Sequence, residues 1–230
     1  MLDTYSAGLR RNQNGDPPSF LNKFFVEEEG VISLSLRWIT LVGTALVAAL
    51  IGGSTYICWY LEIVTIDDTH WPFISDISGL PLFDRAYCLV FMFYAMTVHQ
   101  MNVRAIYHLL YPITTPLYRN ATLALGIAGC VVLPLIYEWD EYWFLVTHDC
   151  LALGFFFLNT AFVFLSASAL NANITRFSAD HQAAISRLRL ASFFLVAALA
   201  VFVYVTASYP EDVFHQAIIE WVTVAVMLSW

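Results

Sequence analysis

Between Arg37 and Glu62 the chain runs from Trp38 to Leu61 without a single charged side chain. A helix needs about 20 such residues to cross a bilayer. In hydrocarbon only helices and closed barrels satisfy their own backbone hydrogen bonds. The same pattern returns at Ala86–Val103, Asn120–Tyr137, Trp143–Leu170, Leu190–Pro210 and Val213–Trp230. The fourth run is interrupted by His148 and Asp149, and the sixth contains Glu220. None of the runs alternates with a strand period. The expected fold is therefore all-α: a six-helix transmembrane bundle over residues 38–230, preceded by an arm over residues 1–37. Composition agrees, because a soluble globule that is 60% hydrophobic and 12% charged would have nowhere to place its surface.

Orientation follows from the cations. Arg10, Arg11, Lys23 and Arg37 lie in the arm, Arg104 and Arg119 between the second and third runs, and Arg176, Arg187 and Arg189 between the fourth and fifth. Arg85 alone falls on the other side, among Glu62, Asp67, Asp68, Asp76, Asp84, Glu138, Asp140, Glu141, Glu211 and Asp212. Both termini are expected in the cytosol, with three acidic loops facing the lumen or exterior. On that topology the sequons at Asn120 and Asn173 stay unglycosylated.

The arm has no early apolar core of a signal peptide. Its acidic stretch Glu27–Glu29 favours a solvated arm over a membrane-surface helix, which is usually basic. Within Asn171–Leu188, Ile174, Phe177, Ile185 and Leu188 could form one face of a short helix, read as an extension of the neighbouring spans in preference to a docking site. Cys58, Cys88, Cys130 and Cys150 are scattered without metal-clip spacing, although Cys58 and Cys88 could pair near one membrane face. There is no glycine-rich nucleotide loop, and neither a cofactor nor a nucleic-acid partner is expected.

The segment Trp71–Arg85 breaks the apolar pattern most sharply. Pro72 and Pro81 deny it a continuous helix, Gly79 adds backbone freedom, and Ser75 and Asp76 can close local turns. Its run Pro72, Ile74, Ser75, Asp76, then Gly79 and Pro81, resembles the first lumenal loop of the Frag/DRAM/Sfk membrane proteins. These include damage-regulated autophagy modulators and factors acting on GPI-anchor lipids. This chain has Leu82 where that family often has an acid or amide. The fourth run's His148, Ala152 and Phe156 are similar to the family's His-x3-Ala-x3-Phe pattern, and Glu220-Trp221 resembles its last-helix Glu-aromatic pair. The resemblance implies a non-enzymatic regulator or scaffold in an endomembrane (Golgi, lysosome) or the plasma membrane. It would act in lipid organisation, phosphoinositide kinase recruitment or autophagy, with membrane lipids as partners. Lipid remodelling, or a place among other membrane-protein subunits in a large complex, are the rival readings.

Ionisable groups inside a membrane are costly, about 2.5–3.5 kcal/mol at mid-bilayer on insertion scales. His148, Asp149 and Glu220 lie at similar depth from the acidic side, where the Asp76 loop could cover them. His99 lies deeper and is expected to stand apart. The four groups Asp76, His148, Asp149 and Glu220 admit two readings: an interhelical clasp pinning the fourth and sixth spans, or a pocket for a lipid head group or a metal. A His/Asp/Glu set could support metal-assisted hydrolysis. However, no HxxxH or HExxH pair is present and no Ser stands beside a His as a nucleophile would require. Neither a catalytic nor a metal-binding residue is therefore assigned.

Overall fold

The computed structural model describes residues 25–28, 31–34, 36–67, 70–139, 141–209 and 211–228. The expected positions of Arg10, Arg11, Lys23, Asp68 and Asp140, and of the last two residues of the sixth run, lie outside these. Described first is an antiparallel pair, β1 (Phe25–Glu28) and β2 (Val31–Leu34), with Phe25 opposite Leu34 and Glu28 opposite Val31. The rest is helical: α1 (Leu36–Tyr60), α2 (Ile74–Ser78), α3 (Asp84–Phe93), α4 (Gln100–Leu110), α5 (Pro116–Glu138), α6 (Glu141–Ala172), α7 (Ala179–Ser208) and α8 (Val213–Leu228). A π-turn, Tyr94–His99, joins α3 to α4 without a break in the helical run.

Among the described residues, four helices are long and apolar enough to cross a membrane: α1, α5, α6 from Phe144 and α7 from His181. The protein is thus a helical integral membrane protein. Large apolar side chains such as Leu89, Val146, Phe193 and Val201 are exposed on the outside of the bundle, as lipid-facing residues would be.

Local signals account for the helix ends. Thr115 accepts the Tyr118 N–H and Pro116 occupies the first turn of α5, where its missing donor costs nothing. Glu62 adopts the left-handed φ of 58° after α1, with the Ile63 N–H donating to the Cys58 carbonyl and the Glu62 N–H to that of Trp59. That is a Schellman-type stop. Near the start of α6, Phe144 leaves helical geometry (φ −135°, ψ 42°), so the continuous helix runs on from there.

Packing follows chain order, α5 on α6, α6 on α7 and α7 on α8, with α1 set against α3 and the π-turn. Two glycines allow backbones to approach closely. A Cβ on Gly43 would collide with Val98 Cγ2, and one on Gly126 would lie 2.7 and 2.8 Å from the two methyls of Val103. Tyr87 joins α3 to α1 through a 2.8 Å hydrogen bond between its hydroxyl and that of Ser54. Tyr118 joins α5 to α6 by donating to the Leu165 carbonyl at 2.8 Å.

The expected helical extension after Asn171 forms: α6 and α7 continue to within a short turn of each other. Ile185 is buried there, with Ile174, Phe177 and Leu188 packed against the same core as Leu110. All four cysteines are free thiols; Cys58 is buried, while the Cys88 thiol donates to Glu138 Oε2 at 3.7 Å.

Candidate functional site: a capped cavity between α3, α5, α6 and α8

The residues of the Trp71–Arg85 segment are held by α8. At the start of α2 the Ile74 N–H, one of the donors a helix cannot satisfy internally, donates to Glu220 Oε2 at 2.9 Å. One residue further along α8, the Trp221 indole N–H donates to the Pro72 carbonyl at 2.9 Å, and the Trp71 and Trp221 rings meet edge to face. Two backbone groups of the loop are thus fixed by consecutive α8 side chains.

Asp76 serves α2 itself. It sits three positions after the N-cap Phe73, and its Oδ2 accepts the Phe73 N–H at 2.9 Å, the carboxylate half of a capping box. Gly79 closes the helix with its N–H on the Ser75 carbonyl at 2.9 Å, and Pro81 lies in the exposed turn before α3. Proline and glycine permit a single helical turn here, and that turn is what docks.

Beneath α2 lies a cavity of about 710 Å³, its open mouth included, walled by α2, α3, the π-turn, α5, α6 and α8. Its wall is largely apolar with a few convergent polar groups, the make-up of small-molecule sites. Phe91, Leu133, Ala152, Phe155 and Phe156 form its waist. The polar groups bordering it include Ser75, His148 and Glu220 towards α2, and His99 and Asn159 further in.

His148 and Glu220 therefore border the cavity, whereas Asp76 and Asp149 are not among its lining residues and are exposed. His99, expected to stand apart, borders the same cavity because the space extends down α6 as far as Asn159. The spacing His148, Ala152, Phe156 places all three on one face of α6, and all three line the cavity.

His148 is buried, and its Nδ1 lies 3.0 Å from the Ile136 carbonyl and 3.1 Å from that of Trp139. Both partners accept, so Nδ1 carries the proton and, in the neutral ring, Nε2 is the accepting nitrogen. These carbonyls belong to the end of α5, where helical partners run out. The clasp made by His148 thus joins α6 to α5, and the one made by Glu220 joins α8 to α2.

Asn159 was not singled out from the sequence. It is 3% exposed, and its Oδ1 has no hydrogen-bond partner. The signal available was a lone amide in an apolar run, three positions beyond Phe156 on the cavity face. Among the described residues no three His, Cys, Asp or Glu side chains are gathered as a metal would require. No protein-family model, curated protein or solved structure matches the chain.

Proposed function

We propose that the chain is a six-span membrane protein that holds a membrane lipid in the α2-capped cavity and acts as a non-enzymatic regulator of the Frag/DRAM/Sfk kind. The helical run Asp84–Leu110 and the shorter apolar α8 supply the fifth and sixth spans of this reading. The acidic loops, including α2, face the lumen or exterior, and the Arg-bearing turns and both termini face the cytosol. Lipids and other membrane proteins are its partners on this reading, in an endomembrane or the plasma membrane.

The observation that carries the proposal is the cavity: an apolar waist opening among few polar side chains, capped by a loop that α8 holds through two backbone hydrogen bonds. Binding fits these groups better than turnover. Nδ1 of His148 and Oε2 of Glu220 are each engaged with backbone partners, which suits positioning rather than proton transfer.

Native mass spectrometry of the full chain in mild detergent tests the reading. The wild type should carry a lipid adduct, and Ala152→Trp, which fills the waist, should lose it while still purifying as a folded, monodisperse protein. A wild type without any adduct overturns it. The remodelling alternative rests on His148 and Glu220 bordering one cavity. It predicts lipid turnover that His148→Ala abolishes without loss of folded protein.

A further inference from the structure

The cavity has a polar inner end that lipid tails cannot satisfy. On α6 its wall runs from His148 to Asn159, about 16 Å at 1.5 Å rise per residue. The waist between them is aromatic and aliphatic. At the far end the lining residue Asn159 has an acceptor oxygen that is buried and unpartnered. Leaving such a group unsatisfied costs about 1–3 kcal/mol, so a native chain is expected to fill it. The occupant must bring a donor there.

Charge argues against an ion. No Lys or Arg is among the described lining residues, so a phosphate pushed to the inner end would be desolvated without a cation. An ammonium would likewise bury a charge opposite a neutral amide, which is expensive. A terminal methyl offers no donor. A hydroxyl offers one without charge.

We infer that the occupant is a neutral amphiphile bearing a free hydroxyl, which enters the cavity hydroxyl first and donates it to Asn159 Oδ1, its apolar body filling the Phe91–Phe155–Phe156 waist. The inference rests on the lipid-holding reading and narrows it to one chemistry. A sterol and a diacylglycerol share that chemistry and differ in the shape of the body.

The test measures binding to the purified full chain by native mass spectrometry and thermal shift. The probes are cholesterol and its 3-methyl ether, and 1,2-dioleoylglycerol and its methyl ether. A site that hydrogen-bonds a hydroxyl discriminates strongly against the analogue without it. At least one free alcohol should therefore bind about tenfold or more tightly than its own ether. Whichever alcohol does so identifies the source. Asn159→Leu should reduce the preference to within about twofold, because the acceptor is gone while the volume is nearly kept.

Ethers that bind the wild type as well as their alcohols overturn the inference, and that result needs no variant to fold. A preference that persists in Asn159→Leu overturns it as well. Failure of all four probes in a protein that still carries its native lipid adduct removes the hydroxyl inference and leaves the lipid-holding reading intact. Absence of any adduct removes both.

Discussion

Replacing Glu220 by Leu removes the oxygen that accepts the Ile74 N–H at 2.9 Å. Ile74 is 3% exposed, so water has little access to the donor left behind. Such a buried, newly unpaired group costs about 1–3 kcal/mol. At about 1.4 kcal/mol per tenfold change, the population in which α2 is undocked rises roughly 5- to 140-fold. Hydrogen–deuterium exchange followed by mass spectrometry reads this directly, since local opening sets the exchange of that segment. Peptides spanning 72–80 should exchange faster by that factor, while peptides from the middle of α5 keep their wild-type rates. Glu220→Gln retains an amide oxygen at the same reach, so its effect should stay near or below the low end of the range. Trp221→Phe keeps the contact with Trp71 but loses the bond to the Pro72 carbonyl, and should open the segment by an intermediate amount. Unchanged exchange over 72–80 in Glu220→Leu would refute the claim that α8 holds the cap.

His148→Ala strips the Ile136 and Trp139 carbonyls of their shared donor and should lower the detergent melting temperature, at a cost of about 1–3 kcal/mol; an unaltered melting temperature would show that the α5 end does not depend on it. Gly126→Ala places a methyl under 3 Å from both branches of Val103, which is 1% exposed and stiff at χ1. Overpacking of this kind costs about 1–3 kcal/mol, to be read as lost thermal stability. At the exposed turn before α8, hydrogen bonds from the His215 side chain and then its backbone N–H hold the Asp212 carboxyl below its ordinary value of 3.8. Because the folded value lies beneath the unfolded one, this contribution is present above the ordinary carboxyl range and fades as pH falls through the folded value. Protection over residues 209–216, taken relative to the intrinsic exchange rate at each pH, should therefore fall on acidification in the wild type and change less in Asp212→Asn; coincident profiles would count against the bond.

The long helices were legible because an uncharged run of membrane length admits few structures. Their ends were less so. Residues 179–189 extend α7 well before the apolar run that begins at Leu190, because Arg187, Arg189 and Gln182 are good helix formers and charge alone stops nothing. The same holds where α4 continues past Arg104 to Leu110. The β1–β2 pairing had no counterpart in the reading of the acidic arm. At the site, Glu220 and His148 stood out as ionisable groups in apolar surroundings, and both border the cavity. Their hydrogen-bond partners could not be foreseen, since the Ile74 N–H and the Ile136 carbonyl are backbone groups that every residue possesses. Depth misled the reading of His99. A distance along one helix says little about a cavity that runs lengthwise between several.

The π-turn at Tyr94–His99 works as an inserted residue in the phase of its helix. Tyr87 and Phe91 set the inward face of α3, and an unbroken 3.6-residue period from them would place later inward positions about one residue ahead of the buried Val103, Ile106 and Leu110. The wider turn absorbs that offset. Deleting any one residue between Tyr94 and His99 would let the run relax to a plain α-helix with Val103, Ile106 and Leu110 still facing inward. The same deletion just beyond His99 would leave the π-turn in place and rotate everything after it by about 100°, swinging Val103 away from Gly126. A single-codon deletion would thus keep the packing in phase within one turn and act as a frameshift in three dimensions in the next.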